Sequence, residues 1–310
     1  MTGQVLHGGA LEDSAEATVL ERAGRIKGAT MEIKSIIEEF SMQAMGGLMA
    51  AWELWERAII PSLLSGAGTW FGPGDGKAAV DQCDKLQNFF WRVILTVPES
   101  CPKIALRCET QSMGMKWRIW QEKLLLLFRI RNKDTSTLCR QIYEEGKRNG
   151  WPGLGVEVAE ICKEIGLPDL NENNLNKSTI KKAIADHHYR DVKQELEKSN
   201  KLGHIKDEEF HEVQEYFHEK SVEKGRMAFK VRSHMVQDIP GNFKEKFRKK
   251  GDGLNCKYCD ESDVMTQSHC LVCPAWAELR VGLSMDNIGD LVIFFQKLLA
   301  ERTRLDKLSV

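Results

Sequence analysis

The sequence predicts a mainly α fold, and three observations predict it. Apolar residues recur at i, i+3, i+4 and i+7 along most of the chain. Proline, which breaks helices, accounts for only 8 of 310 residues. No stretch alternates apolar and polar residues long enough to specify a strand. The expected architecture is a helical bundle, a second helical region, and a small loop-rich segment near the C-terminus followed by a last helix.

Residues 12 to 45 predict one or two short amphipathic helices, with Val19, Ile26, Ile33, Ile36, Ile37 and Phe40 as apolar contacts. Gly46-Gly47 is a breaker. Leu48, Ala51, Trp52, Trp55, Ala58 and Ile59 then follow helical spacing. Pro61 should kink or end that helix, because it lacks an N–H and crowds the preceding turn. GAGTWFGPGDGK, 66 to 77, is a turn-rich loop. Helix resumes over 78 to 97, with Val80, Cys83, Leu86, Phe90, Val93, Ile94 and Val97 inward, and Pro98 stops it. Pro102 suits the first turn of a short helix through Leu106. MKWRIWQEKLLLLFRI, 115 to 130, is apolar almost all round, which predicts a helix at the centre of a bundle.

GWPGLG, 150 to 155, marks a boundary before a more polar half. NENNLNKS, 171 to 178, is a loop in which Ser178 can cap the next helix. Residues 179 to 198 and 206 to 223 predict charged, solvent-facing helices. The strong composition shift comes at 224 to 250, where nine Lys or Arg face Asp238 and Glu245 for a local net of +7. A last helix is expected over about 286 to 303. The predicted units are therefore 1–150, 151–253, 254–280 and 281–310.

Hydrophobic residues at 42% and charged residues at 29% describe a globular composition. The net charge of −1 excludes a globally basic nucleic-acid binder and leaves room for a local basic face. The longest clean apolar runs, Leu124 to Phe128 and Leu291 to Phe295, are far short of the roughly 20 residues a membrane helix needs. No secretory signal pattern opens the chain. An intracellular protein, nuclear or cytoplasmic, is expected, with no membrane partner and no small-molecule substrate evident.

Nine cysteines are present, five of them scattered singly. The other four fall within 18 residues near the carboxyl end. Two ligand sets fit tetrahedral zinc: Cys256, Cys259, His269 and Cys273, or Cys256, Cys259, Cys270 and Cys273. Two residues between paired ligands let one tight turn aim both side chains at one ion. His269 and Cys270 are neighbours and point differently, so one of them binds. A structural Zn2+ is expected, because protein groups can fill all four positions.

The basic tract is the second signal. Lys230, Arg232, Lys244, Lys246, Arg248, Lys249 and Lys250 would neutralise phosphates, and Phe229, Phe243 or Phe247 would stack on an unpaired base if exposed. Trp52, Trp55, Trp117 and Trp120 sit at helical spacing among Leu and Ile, which predicts core packing. His187-His188 and the spaced His204, His211 and His218 lie on polar helices and make a poor metal set. GPGDGK, 72 to 77, lacks the spacing of a phosphate loop.

Four blocks occur in order: GQVLHGGALEDSAEATVLERAGRIKG, GGLMAAWELWERAIIPSLLSGAGTWFG, DKLQNFFWRVILTVPESCPKIALRCETQSMGMKWRIWQEKLLLL and CKYCDESDVMTQSHCLVCPAWAELR. Together they resemble the C-terminal region of a non-LTR (LINE-type) retrotransposon reverse transcriptase. The resemblance is best at 44 to 130 and 254 to 280. It implies the end of a palm, a helical thumb and connection, and a CCHC-type zinc knuckle with ligands Cys256, Cys259, His269 and Cys273. It implies RNA and DNA as partners, bound through their backbones, and a polymerase palm and fingers carried elsewhere.

Polymerisation in that family needs a carboxylate set that includes an Asp-Asp pair holding two divalent ions. This chain contains no Asp-Asp dipeptide. Some relatives carry a nuclease after the knuckle built on a Pro-Asp; here Pro168-Asp169 precedes it. The expectation is thus a fragment that handles nucleic acid and has no catalytic residue of its own. The alternative is a helical zinc-binding module for protein partners, without nucleic-acid binding.

Overall fold

A computed structural model describes residues 11–40, 47–69, 75–151, 153–167, 176–199, 202, 205, 213–236, 239, 255–259 and 263–308. Among them the fold is mainly α, and the one β feature is an isolated bridge between Asn255 and Val264. The first helix, α1, is Leu11–Phe40. It is a single 30-residue element, longer than the one or two short helices expected over 12 to 45, and it continues through Gly24 and Gly28. Packing along α4, Asp75–Leu95, supplies what local propensity lacks.

Helix α2, Gly47–Leu54, passes into a π turn, Trp55–Ile59, and then into α3, Ile60–Leu63. Pro61 does not end the helix at once: α3 runs on to Leu63. The wider turn lets the Ile60 N–H reach Trp55 O, just ahead of the residue that has no N–H. Gly47 opens α2 rather than merely breaking α1. A Cβ there would lie 2.5 Å from Val222 Cγ2, so glycine permits the crossing with α10, Val222–Arg232.

Three apolar clusters follow. The first joins α1 to α4 and α5, Lys103–Thr110, to residues from 192 onward. Trp55, Phe90, Trp91 and Phe217 meet at its centre, with ring centroids 4.6 to 6.3 Å apart. The second joins α6, Met115–Arg131, to α8, Leu154–Glu164, and α9, Lys177–Glu197. Helix α7, Leu138–Arg148, buries no residue. The third joins the end of α10 to α11, Gln267–Val272, and α12, Ile288–Leu308. The first and second clusters both draw on residues from each side of 150, so packing does not divide there.

Other local expectations shift by small, explicable amounts. Asn176, not Ser178, caps α9, accepting from Thr179 N at 2.9 Å. Helix α9 is not only solvent-facing: Ile180, Ile184, Val192 and Leu196 are buried. In place of a charged helix, the described part of 206 to 223 holds a 3-10 turn, Glu215–His218, that buries Tyr216 and Phe217. Helix α6 carries a buried cation inside its apolar surface, Lys123, bonded to Glu157 at 2.6 Å. No described helix is long and apolar enough to cross a membrane.

Candidate metal centre

The site is built by one bridge, one turn and one short helix. Asn255 pairs with Val264, and the Cys256 N–H donates to Asp263 O at 2.8 Å, so the Cys-x2-Cys turn is anchored against the strand-like segment that follows. Thr266 then caps α11: its hydroxyl accepts from His269 N at 3.0 Å. His269 and Cys273 are four residues apart, one helical turn, which places them over one another. The Cys273 N–H closes that turn on His269 O at 2.7 Å, and Pro274 prevents its continuation.

The outcome is a compact group of three thiols and one imidazole. The ligand atoms of Cys256, Cys259, His269 and Cys273 all lie within 4.8 Å of one another. Cys256 Sγ is 3.9 Å from Cys273 Sγ, and Cys259 Sγ is 3.5 Å from His269 Nε2. Tetrahedral zinc with bonds near 2.3 Å to sulfur and 2.0–2.1 Å to nitrogen would set ligands about 3.8 Å and about 3.5 Å apart. The donors therefore fit a four-coordinate metal ion, and Cys270 stands outside the group. It sits about a quarter-turn of helix from His269, fully buried in the third cluster with Phe294 and Phe295.

Acidity does not set Cys270 apart from a thiol inside the group. Burial pushes the Cys270 thiol up to about 12. Burial also pushes Cys273 up to about 12; the Ala275 amide opposes the shift and the thiols of Cys259 and Cys256 add to it. A bound cation supplies the positive charge that turns such crowded thiols into thiolates. Only Cys273 is placed to receive it.

Around the ligands is a supporting layer that sequence spacing does not reveal. Asp263 Oδ2 is 3.6 Å from His269 Nδ1, on the ring edge opposite the ligand nitrogen. A carboxylate there favours the tautomer whose Nε2 lone pair is free. Tyr258, inside the Cys-x2-Cys turn, meets the Trp276 ring at 4.8 Å and donates to Asp306 of α12 at 3.0 Å. Lys257 reaches the same carboxylate at 2.6 Å. Gln267 donates to Val231 O at 2.6 Å, tying α11 to α10.

Other sequence-selected residues are less exposed than a ligand surface needs. Arg232 bonds the fully buried Glu109 at 2.8 Å, and Phe229 is fully buried, so it packs inward instead of stacking on a base. Lys230 is half-buried on α10. Lys244, Lys246, Arg248, Lys249 and Lys250, with Phe243 and Phe247, lie outside the described residues, as do His204, His211 and Pro168-Asp169. Trp55 and Trp117 are buried. Trp52 donates to Thr110 O at 2.9 Å, and Lys116 covers the Trp120 ring at 4.2 Å. His187 Nε2 lies 2.9 Å from Ile165 O. Among the described residues, the Cys3His set is the one metal-competent group of three or more.

The chain matches no protein-family model, no curated protein and no solved structure.

Proposed function

We propose that this chain is a structural-zinc protein that binds nucleic acid, corresponding to the non-catalytic C-terminal part of a non-LTR retrotransposon reverse transcriptase. The observation that carries the reading is the Cys3His group, whose four donor atoms fall within 4.8 Å in the ligand order the resemblance implies. Three soft sulfurs and one imidazole nitrogen favour zinc over hard cations, and four protein donors leave no place for a reactive water. The order of the four sequence blocks and the run of cations Lys244, Lys246, Arg248, Lys249 and Lys250 just before the knuckle support RNA or DNA as the partner. The ion would hold the Cys-x2-Cys turn against α11; the chemistry of copying would belong to a palm carried elsewhere.

Two measurements test the reading. Metal analysis of the purified chain should find one equivalent of zinc. Cys256→Ser and His269→Ala should abolish or sharply weaken its binding, while Cys270→Ala retains it; loss of metal in Cys270→Ala alone overturns the ligand set. RNA titrations should then show salt-dependent affinity. Neutralising about five phosphates predicts a slope near −4 in log K against log salt. No binding to single-stranded RNA or DNA at about 50 mM salt overturns the nucleic-acid role.

One observation favours the protein-binding alternative. Ile142 on α7 is exposed beside Trp151 and Val156, around a cavity of about 620 Å³. That reading predicts a partner held independently of salt and indifferent to charge reversal at Lys244, Lys246, Lys249 and Lys250.

A further inference from the structure

Beside the seam of α1 and α4 lies a groove of about 930 Å³ that none of the sequence motifs marks. Its lining includes Lys34 of α1, Lys85, Phe89 and Arg92 of α4, Thr96 just beyond α4, and Lys103 at the start of α5. Four cations line it, with Glu99 as the acid, for a local charge of 4 − 1 = +3 in a chain whose net charge is −1. Lys27 adds a further cation at the margin, 5.9 Å from the centroid of the Phe89 ring.

These cations are poorly compensated. Lys85 and Lys103 are exposed, and neither has an ion-pair partner among the described residues. Lys34 reaches Glu38 only at 3.9 Å. Arg92 donates through Nη2 to Cys101 O at 3.1 Å, while its buried Nε has no hydrogen-bond partner. Phe89, among these charges, is only partly buried. Thr96 closes α4 with φ at 50°, a left-handed conformation a β-branched residue seldom adopts and glycine usually supplies. Like charges gathered on one surface repel, and this groove sets one lining acid, Glu99, against four cations. A polyanion relieves them, and an aromatic ring beside them can stack an unpaired base.

We propose that this groove binds a single strand of nucleic acid, with Lys34, Lys85, Arg92 and Lys103 on its phosphates and Phe89 against one base. The proposal rests on the nucleic-acid reading above and places the contact on the helical body, apart from the knuckle and the basic tract. A ring presented beside the phosphates is of use only where bases are unpaired, so single strands are preferred to duplex.

The test uses the full zinc-loaded chain and a fluorescent oligouridylate, titrated by anisotropy across about 50 to 300 mM salt. The double variant Lys85→Glu/Lys103→Glu removes two exposed charges that hold nothing in the fold. Zinc content and far-UV circular dichroism should stay at the parent values. Affinity should fall at least about tenfold at the lowest salt, and the slope should flatten by about 1.4, two phosphates at roughly 0.7 each. Phe89→Leu, which keeps apolar volume and removes the ring, should weaken single-strand binding about tenfold and leave duplex binding unchanged.

Unchanged affinity and slope in the double variant, with the parent still binding RNA, overturns the groove and leaves the proposed function standing. Absence of RNA binding by the parent overturns both. Binding of anionic vesicles or polyglutamate that is lost in the double variant, without effect on RNA, overturns the choice of nucleic acid.

Discussion

Glu109 carries no exposed surface, yet it is a charged residue in the first core. Tyr216 donates to it at 2.7 Å and Arg232 at 2.8 Å, so three elements converge on one carboxylate. Removing it takes the carboxylate from the partly buried Arg232 and from the Tyr216 hydroxyl, and Glu109→Ala should cost about 3 kcal/mol in urea unfolding. Two glycine classes separate at the same scale. A Cβ at Gly225 would lie 2.9 Å from Tyr216 O and 2.7 Å from Leu48 Cδ1, so Gly225→Ala should destabilise by about 1–3 kcal/mol. A Cβ at Gly24 or Gly28 meets nothing within 4 Å, and Ala at either should stabilise α1 by about 0.5–1 kcal/mol, read as a higher Tm. Burial, aided by the charges of Arg107 and Arg118, pulls His188 down to about 4. The unfolded chain therefore binds a proton that the native state refuses. Stability held above about pH 6.5 should decline as pH falls toward 4, and His188→Asn should blunt that decline in urea midpoints.

At the scale of elements, the third cluster is the part that a metal ion in the Cys3His group would hold together. Its apolar residues surround a loop with one bridge and a six-residue helix, too little to hold itself. Zinc binding contributes about 10–16 kcal/mol in small isolated fingers. Chelation should raise hydrogen exchange in α11 and α12 first, and Trp276 fluorescence should report the loss. The long helices were legible beforehand, because a stripe of Cys83, Leu86, Phe90 and Ile94 can only be a helix face. The grouping of the Cys-x2-Cys pair with Cys273 was legible in the spacing, and the choice between His269 and Cys270 was not legible there; only the family resemblance implied His269. That choice depends on where α11 begins, which Thr266 decides. The π turn before Pro61, the aromatic turn at Tyr216-Phe217 and the orienting role of Asp263 were illegible for a shared reason. Each is fixed by a partner far away in sequence or by a hydrogen bond with no spacing rule. The groove cations were hidden likewise: Lys34, Lys85 and Lys103 lie on three helices and form no run.

For the whole molecule, α10 is the common wall. One side faces the aromatic centre of the first cluster, and Val231 at its end joins the third. The buried Arg226 donates to Ile94 O at 2.7 Å and to Glu38 at 2.9 Å, reaching α4 and α1 together. A fragment ending at residue 150 lacks this wall, and with it Phe217 and Phe229. Expressed alone, it should show helical far-UV dichroism without near-UV tryptophan signals or a cooperative melt. A sharp melt for that fragment would show that the first bundle stands by itself.

The Arg226 bond to Ile94 O spans 132 residues. At a translation rate of about 5–20 residues per second, the ribosome needs on the order of ten seconds to bridge that distance. During that interval the nascent chain has made Trp55, Phe90 and Trp91 and still lacks Phe217 and Phe229, which complete the cluster around them. The first cluster is therefore completed late, only once α10 has emerged.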